Sequence, residues 1–506
     1  MGQRIIRPVS RRGFLALAGT ASLGTALAAC GNSGDGTGSG GGSAGAGGGG
    51  GGPRHTGKVA TYVSRPDLHP PLISVRTNRG DLGGGYAFVT PGGPMIVDDR
   101  GQPLWVRTVP HAATDFRVQA YQGQPVLTWW EGTVTKWGTG TGHGVVMNAD
   151  YEVVATVHAA NGRSCDLHEF LLTDRTTAYI TAVDEVDEDL TSVGGPANGR
   201  AVRSYVQEID VATGALLFEW SAHRHIPLSE TQATYTEKDT EGKPFSAVHL
   251  NSVNVMGDGT ILVSARNTWA LYKIDTATGT IAWRLGGKSS DFHLGPGVRF
   301  AWQHDAKAQP DNVISLFDDE AGPEEGPRSR GLFLHVDETA MEVTLAKAYE
   351  HRTPSLLATS QGSVQALANE DVFVGWGSEP WYTQFRADGT VALDARFETG
   401  QSYRAFRCTW AGTPTDVPAV AVRSSGQGAL VVYTSWNGAT EATTWQVLGG
   451  PGATALAPLQ TVARDGFETT VHLSSVPPYV AVAALAADGT VLATSQPVAT
   501  AGAAPA

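Results

Sequence analysis

The sequence predicts an all-β protein, in which a six-bladed β-propeller is followed by a small immunoglobulin- or fibronectin-like β-sandwich. Short runs rich in Val, Ile, Thr, Tyr and Trp alternate with Gly, Asp and Asn, which is the pattern of strands and turns. No stretch has the pattern of an amphipathic helix. A strand–turn–strand unit also recurs along the chain, and repetition of this kind is typical of propellers.

The recurring unit is an apolar strand, a tight acidic or glycine turn, and a second strand that often ends in an aromatic residue. Its six copies are MIVDDRGQPLWV, VMNADYEVVATV, QEIDVATGALLFEW, YKIDTATGTIAWRL, LHVDETAMEVTLAKAY and TQFRADGTVALDARF. Their reference residues are Asp98, Asp150, Asp210, Asp275, Asp337 and Asp388, at successive separations of 52, 60, 65, 62 and 51. We interpret each copy as the outer hairpin of a four-stranded blade; unrelated hairpins in a sandwich are the alternative.

Composition divides the chain into four predicted parts. Residues 1–29 contain the twin-arginine export pattern SRRGFL and an Ala-rich apolar run that ends in LAAC, which resembles a bacterial lipobox. Cys30 is therefore the predicted lipidation site of an exported, extracytoplasmic protein anchored to the cell membrane; an ordinary cleaved leader with an incidental cysteine is the alternative. Residues 30–56 read as a Gly-rich tether, 57–412 as the propeller and 413–500 as the sandwich.

Charge and cysteine content limit the possible partners. The formal net charge is −13, and it becomes −17 without the four arginines of residues 1–29. This balance argues against nucleic acid as a partner, and it means that an anionic substrate needs local positive groups. Cys165 and Cys408 are compatible with one disulfide or with two buried thiols, and the sequence leaves both possibilities open.

Three histidines share one position in the repeat. His168 in DLHEF, His249 in HLNSV and His304 in WQHDA each begin the inner hairpin that precedes an outer one. The innermost strands of a propeller surround its central channel, so we expect the three imidazoles to meet at one mouth. Strand alternation places Asn251 on the same face as His249, and the return strand ILVSAR brings Arg266 to the same end.

These residue types admit three kinds of chemistry. Three imidazoles could bind a transition metal, one could act as a nucleophile beside an acid and a base, or all could be structural. Arg266 and Asn251 suit an oxyanion such as sulfate or phosphate better than a cation, because arginine brings positive charge and no lone pair. No metal or other cofactor is therefore expected. A structural ion pair with a buried aspartate is the alternative role for Arg266.

Several motifs together resemble those of bacterial arylsulfate sulfotransferases, propeller enzymes that use no nucleotide sulfate donor. The similarity is greatest to the branch common in actinobacteria and fungi, and it covers about Val63 to Trp410. It is carried by DLHEF, QEIDVATGALLFEW, HLNSV, SARNT, WRLGGKSSDF, WQHDA, SLFDD, SQGSVQAL and SYRAFR. The small β domain stands at the C-terminal end here and at the N-terminal end in the best-studied enzymes, so substrate identity does not transfer.

The resemblance implies transfer of a sulfuryl group from an aryl sulfate donor to a phenolic acceptor in a ping-pong reaction. His304 falls where the family has the nucleophile that becomes a sulfohistidine. His249 and Asn251 fall on a His-x-Asn pair, Arg266 on an arginine and His168 on the remaining histidine.

In the expected mechanism, Arg266, Asn251 and one imidazole bind the three sulfuryl oxygens. His249 or His168 protonates the leaving oxygen, and then takes the proton of the incoming phenol. Asp305 or Asp166 is a candidate for orienting an imidazole through its second nitrogen.

Two other classes of protein compete with this interpretation. Quinoprotein dehydrogenases are propellers whose blade repeat is similar to IDTATGTIAWRLGG, but they have eight blades and an adjacent cysteine pair that this sequence lacks. A non-catalytic surface lipoprotein that binds a ligand or partner is the other alternative. It would tolerate loss of His304 and form no covalent intermediate.

Overall fold

The computed structural model of the 506-residue chain describes residues 57–236, 243–425 and 428–506. The predicted signal peptide, Cys30 and the tether lie outside the described residues. The all-β prediction is confirmed: helical segments in the described part are short turns, namely Thr191–Val193, Ala222–His225, Leu228–Glu230 and Arg266–Thr268. No helix among these residues is long and apolar enough to cross a membrane.

The described strands between residues 73 and 408 form antiparallel runs of four, which we number units 1 to 6. Units 2 and 3 belong to one nine-stranded sheet, in which Gly142 pairs with Cys165. Unit 1 contains Tyr86–Val89, Met95–Val97, Pro103–Val106 and, from much later in the chain, Phe406–Cys408. Unit 2 contains Ala112–Tyr121, Gln124–Val134, Gly140–Met147 and Val153–Val157. Unit 3 contains Ser164–Leu172, Thr177–Glu188, Gly199–Asp210 and Leu216–Ser221.

The later units follow the same plan. Unit 4 contains Leu250–Val255, Thr260–Ala265, Ala270–Asp275 and Ile281–Gly286. Unit 5 contains His304–Gln309, Val313–Asp318, Arg330–Asp337 and Glu342–Tyr349. Unit 6 contains Ser363–Ala366, Val372–Gly375, Trp381–Phe385 and Val391–Phe397. Ile73–Asn78, Phe245–Ser246 and His293–Leu294 add strands to units 6, 3 and 5.

The repeated aspartates stabilise the turns of the outer hairpins. Asp275 Oδ1 accepts the backbone N–H groups of Ala277 (2.9 Å) and Thr278 (2.8 Å). Asp98, Asp210, Asp337 and Asp388 accept turn N–H groups in the same way. In unit 2 the acceptor is Asn148 instead of Asp150, because Asn148 Oδ1 receives the N–H of Glu152 (2.9 Å). The repeat therefore encodes a turn geometry that side-chain oxygens satisfy.

Hydrophobic clusters of the described residues join neighbouring units in cyclic order. Phe88 of unit 1 contacts Phe116 of unit 2, with ring centroids 5.3 Å apart. Further clusters join units 2 and 3, 3 and 4, 4 and 5, and 5 and 6. A cluster that includes Phe373 of unit 6 and Val97 of unit 1 completes the circle. The core therefore lies between neighbouring units.

Two further sheets lie beyond Trp410. The first contains Ala419–Ser424, Leu430–Ser435 and Glu468–Leu473. The second contains Thr444–Gly452, Ala455–Ala463, Tyr479–Leu485, Val491–Thr494 and Val498–Ala499. One hydrophobic cluster includes Val432 and Val471 of the first sheet with Trp445 and Val482 of the second, so the sheets pack on each other. The immunoglobulin- or fibronectin-like topology stays a prediction.

Hydrogen bonds connect these C-terminal sheets to units 1 and 2. Asn437 accepts the backbone N–H of Val106 and donates to its carbonyl, both at 2.9 Å. Tyr151 donates its hydroxyl to the carbonyl of Gly438 (2.7 Å). The contact lies on the outer strand of unit 1 and the outer hairpin of unit 2, away from the three histidines.

Candidate active site

A cavity of about 310 Å³ brings together His168, His249, Arg266 and His304. The histidines come from units 3, 4 and 5: His304 begins its innermost strand, His249 directly precedes one, and His168 is the fifth residue of Ser164–Leu172. The cavity therefore assembles residues that lie up to 136 positions apart in sequence, as the shared repeat position predicts.

The backbone around the cavity is unusual. His249, Trp302, Asp305 and Gln361 are non-glycine residues with left-handed φ values of 58°, 60°, 54° and 71°. Such a conformation costs about 1–3 kcal/mol at a residue and persists only where surrounding contacts impose it. It also interrupts strand alternation, so side-chain directions near the histidines depart from a simple in–out pattern.

His304 is fully buried between a carboxylate and a backbone amide. Its Nδ1 lies 2.8 Å from Asp319 Oδ2, and the backbone N–H of Gln361 donates to its Nε2 at 3.3 Å. An N–H donor at Nε2 requires a lone pair there, so the proton of the ring is on Nδ1 and is shared with Asp319. The imidazole therefore presents its nucleophilic nitrogen at the cavity.

Electrostatics keep this imidazole neutral. Burial lowers the pKa of His304 well below its usual value of 6.5, and the positive charge of Arg266 lowers it further. Burial also raises the pKa of Asp319 well above 3.8, which favours one shared proton in the pair over a buried ion pair. A neutral ring keeps the Nε2 lone pair available across the physiological pH range.

His168 and His249 form a second arrangement in the same cavity. The Nδ1 of His168 makes a short hydrogen bond to Asp166 Oδ2, and its Nε2 lies 3.1 Å from Nε2 of His249. Burial lowers the pKa of His249 well below 6.5, with contributions from the neighbouring charges of His168, Arg266 and Lys243. The carboxylate and the two rings form a chain along which a proton can pass.

Arg266 on the cavity wall contacts two oxygen acceptors and an aromatic ring. Its Nη1 donates to Asn267 Oδ1 (3.0 Å) and its Nη2 to the carbonyl of Thr359 (3.1 Å). The guanidinium lies 4.8 Å from the centroid of the Trp302 ring. Glycine is required at position 322, because φ is 100° there and a Cβ would lie 2.5 Å from the carbonyl oxygen of Thr359, as well as 2.7 Å from Nη2. These contacts fix the direction of the guanidinium beside His304.

In the described ranges 57–236, 243–425 and 428–506, no group of three or more His, Cys, Asp or Glu side chains is placed to hold a metal ion. Cys165 and Cys408 are free thiols.

Comparison with protein families identifies the chain. The model of the family described as "Arylsulfotransferase (ASST)" matches residues 117–398, which is more than half of the sequence. The chain belongs to the arylsulfotransferase family. No curated protein matches it.

Solved structures similar to this arylsulfotransferase are distant. A protein of unknown function from Bacteroides caccae is 9% identical, with a TM-score of 0.40; the alignment covers 64% of this chain and 98% of that one. Virginiamycin B lyase from Staphylococcus aureus is 9% identical, with a TM-score of 0.32 and coverage of 71% and 94%. At these values neither similarity carries an argument about function.

Two sequence-based expectations for the arylsulfotransferase site need correction. Asn251 does not line the cavity: it is fully buried, and its Nδ2 donates to the carbonyl of Gln303 (2.6 Å). Asp305 does not orient an imidazole, because its Oδ2 accepts Lys307 Nζ (2.8 Å) and its Oδ1 faces Arg404. Left-handed backbone at His249 and Asp305 accounts for both errors. Asp166, the other candidate, does contact its histidine.

Sequence reasoning missed several residues of the site. Asp319 is the second aspartate of SLFDD and directly follows the strand Val313–Asp318, whose Phe317 is paired with His304. The predicted hairpin could have indicated Asp319 from the sequence, because a residue just beyond the second strand of a hairpin lies beside the start of the first strand. Gln361 contributes only its backbone, and no residue-type pattern reports such a role.

Proposed function

We propose that this arylsulfotransferase moves a sulfuryl group from an aryl sulfate to a phenolic acceptor, with His304 as the nucleophile. The observation that carries the proposal is the environment of His304: a neutral buried imidazole, with Nδ1 on Asp319 and a lone pair at Nε2, in the same cavity as Arg266. An activated nucleophile backed by an orienting carboxylate is the arrangement that covalent group transfer requires.

In the first half-reaction, Nε2 of His304 attacks the sulfur of the donor. The N–S bond forms as the S–O bond to the aryl group breaks, and the electron pair of that bond leaves on the phenolate oxygen. The ring becomes a sulfonated imidazolium that retains its Nδ1 proton. Asp319 accepts that proton's hydrogen bond and offsets the new positive charge.

Charge that develops on the sulfuryl oxygens is stabilised by Arg266 and by the N–H of Gln361. The Gln361 N–H contacts Nε2 at a long 3.3 Å, and it can turn to a sulfuryl oxygen once the lone pair is used. Asn267 positions the guanidinium, since its Oδ1 accepts Arg266 Nη1 while its Nδ2 donates to the carbonyl of Ser246 (2.6 Å). Asn251 has an indirect role: its side chain donates to the carbonyl of Gln303, the residue that precedes His304.

The leaving oxygen is protonated through His168 and His249. A proton held on His168, whose Nδ1 faces Asp166, passes through Nε2 to His249, and His249 delivers a proton to the phenolate. In the second half-reaction the direction reverses, and His249 takes the proton of the acceptor hydroxyl. A phenolate leaves with less protonation than an alkoxide does, so aryl sulfates are favoured as donors.

The size of the cavity supports a ping-pong order. Pockets of about 300 Å³ are at the lower end of those that enclose one small organic ligand. At about 310 Å³, this cavity holds a donor or an acceptor in turn more readily than both together. The covalent intermediate holds the sulfuryl group after the donor product leaves and before the acceptor binds.

We also propose the finer architecture that goes with this function. The six four-stranded units and their cyclic interfaces support a six-bladed propeller with the active site at one mouth of its channel. The C-terminal sheets correspond to the sandwich. The twin-arginine pattern and LAAC support export and attachment to the membrane through Cys30.

Mass spectrometry after brief incubation with 4-nitrophenyl sulfate tests the proposal. We expect a gain of about 80 Da on the peptide that contains His304, lost on addition of a phenol but stable in buffer. A His304→Asn variant should form no adduct and release no nitrophenol, with an unchanged thermal unfolding temperature. Appreciable transfer by that variant would exclude His304 as the nucleophile, and decay of the adduct in buffer alone would make the protein a sulfatase.

A further inference from the structure

The mechanism leaves one charged side chain of the cavity wall without a role. Lys243 lines the cavity in the segment 243–249, which leads to His249. Arg266 serves the sulfuryl group, and the histidines serve as nucleophile and proton relay. Lys243 belongs to neither set.

The charged side chains among the described residues that line the cavity are opposite in sign to the net charge of the protein. The chain has a net charge of −13, yet none of the described residues that line the cavity is Asp or Glu, and both Arg266 and Lys243 are cationic. The nearby carboxylates Asp166 and Asp319 face histidine nitrogens. Among the described residues Lys243 makes no ion pair. The cavity is therefore suited to a ligand with more negative charge than one sulfuryl group bound at Arg266.

The surface next to Lys243 is suited to an aromatic ring. Pro244 and Phe245 follow it in sequence, and Val134 and Trp137 from the outer end of a unit 2 hairpin line the same cavity. Lys243 and His249 line the same cavity, and the positive charge of Lys243 is one of the contributions that lower the pKa of His249. The aromatic ring of a phenol bound between Lys243 and His249 would have its hydroxyl near His249 and a substituent near Lys243.

We propose that the acceptor is a phenol bearing a carboxylate or another anionic group, which Lys243 binds while the hydroxyl faces His249. In the transfer step the phenolic oxygen forms a bond to sulfur as the N–S bond to His304 breaks. The electron pair of that bond returns to Nε2, and the phenolic proton passes to His249. This inference rests on the proposed function and adds the class of acceptor to it.

The experiment separates the two half-reactions. The full chain is first loaded with 4-nitrophenyl sulfate, and the adduct on the His304 peptide is measured; failure at this step counts against the proposed function and not against the role of Lys243. The loaded protein is then discharged with 4-hydroxyphenylacetate, with its neutral amide 4-hydroxyphenylacetamide, or with tyramine. We expect the anion to react with a kcat/KM about tenfold above that of the amide, since a charge-assisted hydrogen bond has about this effect.

Variants test the residue itself. Lys243→Met should remove the preference for the anion over the amide, and Lys243→Glu should shift it toward tyramine. Lys136→Met is the matched control, because Lys136 lies beside Trp137 and does not line the cavity, so this variant should keep the wild-type preference. The proposal is overturned if the wild type does not distinguish anion from amide, or if Lys136→Met loses as much preference as Lys243→Met.

Discussion

The two histidine–carboxylate pairs of this cavity consist of the same residue types but differ in the group that contacts Nε2 of the histidine. His304 and Asp319 come from one unit, and the free nitrogen of His304 meets a backbone N–H, which cannot accept a proton. His168 and Asp166 are two residues apart on one strand, and the free nitrogen of His168 meets another imidazole at 3.1 Å. Both rings are almost completely buried, and both carboxylates contact Nδ1.

The partner at Nε2 therefore determines the chemistry of each pair. A backbone amide fixes one tautomer and leaves a lone pair that can only attack or accept a hydrogen bond. A second imidazole can give or take a proton, so the same carboxylate-backed ring becomes part of a relay. In the proposed mechanism, this difference makes His304 the nucleophile and the His168–His249 pair the acid–base group, without any difference in residue type.

The largest expected effect comes from removing the carboxylate of the nucleophile. Asp319→Asn allows its amide to donate to Nδ1, which moves the ring proton to Nε2 and removes the attacking lone pair. We expect the burst of nitrophenol from 4-nitrophenyl sulfate to slow by about 10³-fold, measured by stopped-flow absorbance.

The matched change at the other pair is Asp166→Asn. With 4-nitrophenyl sulfate it should slow the same burst by less than about tenfold, because nitrophenolate leaves without much protonation. Equal losses in the two variants would contradict the division of roles between the pairs.

An intermediate effect is expected from the relay, and it should depend on the leaving group. His249→Gln should slow transfer from phenyl sulfate by about 10²-fold but transfer from 4-nitrophenyl sulfate only a few-fold, since phenolate is the more basic leaving group. The measurement is the slope of log kcat/KM against leaving-group pKa, which should become steeper in the variant. Parallel slopes would assign leaving-group protonation to another residue.

The smallest expected effect is on stability. The pKa of His249 lies well below 6.5 in the folded state and near 6.5 in the unfolded chain. As the pH falls through 6.5, the unfolded chain binds a proton that the folded protein does not, so the free energy of unfolding falls by up to about 1.4 kcal/mol per pH unit.

Urea denaturation at pH 7.5 and pH 5.5 checks this sign. The wild type should lose about 1 kcal/mol more than His249→Gln over that interval, because glutamine does not titrate. A larger loss in the variant would mean that His249 is protonated in the folded protein.

The position of each residue within the repeat predicted which histidines form the site. Strand alternation predicted the direction of the neighbouring side chains less well. Hydrophobic alternation and turn aspartates gave the all-β class, and the common position of His168, His249 and His304 placed all three at one cavity. Side-chain direction failed at Asn251 and Asp305, where left-handed residues interrupt the strand pattern, and no propensity scale anticipates such a conformation at histidine or aspartate. Asp319 could have been found from the predicted hairpin, because it directly follows the strand that pairs with His304. Gln361 could not, because its contact with His304 is through the backbone N–H.

The pairing of Phe406–Cys408 with Tyr86–Val89 has a consequence for how activity arises during synthesis. This pairing joins parts of the chain more than 300 residues apart, as in the hydrogen bond from Arg407 to Gly84 across 323 positions. Arg404, just before the closing strand, donates to the carbonyl of Asn251 (2.9 Å) and contacts Glu169, which adjoins His168. A ribosome that stops before residue 404 therefore releases a product with most of the catalytic side chains but without the arginine that holds their strands together. We therefore expect enzyme activity only in chains that include the closing strand.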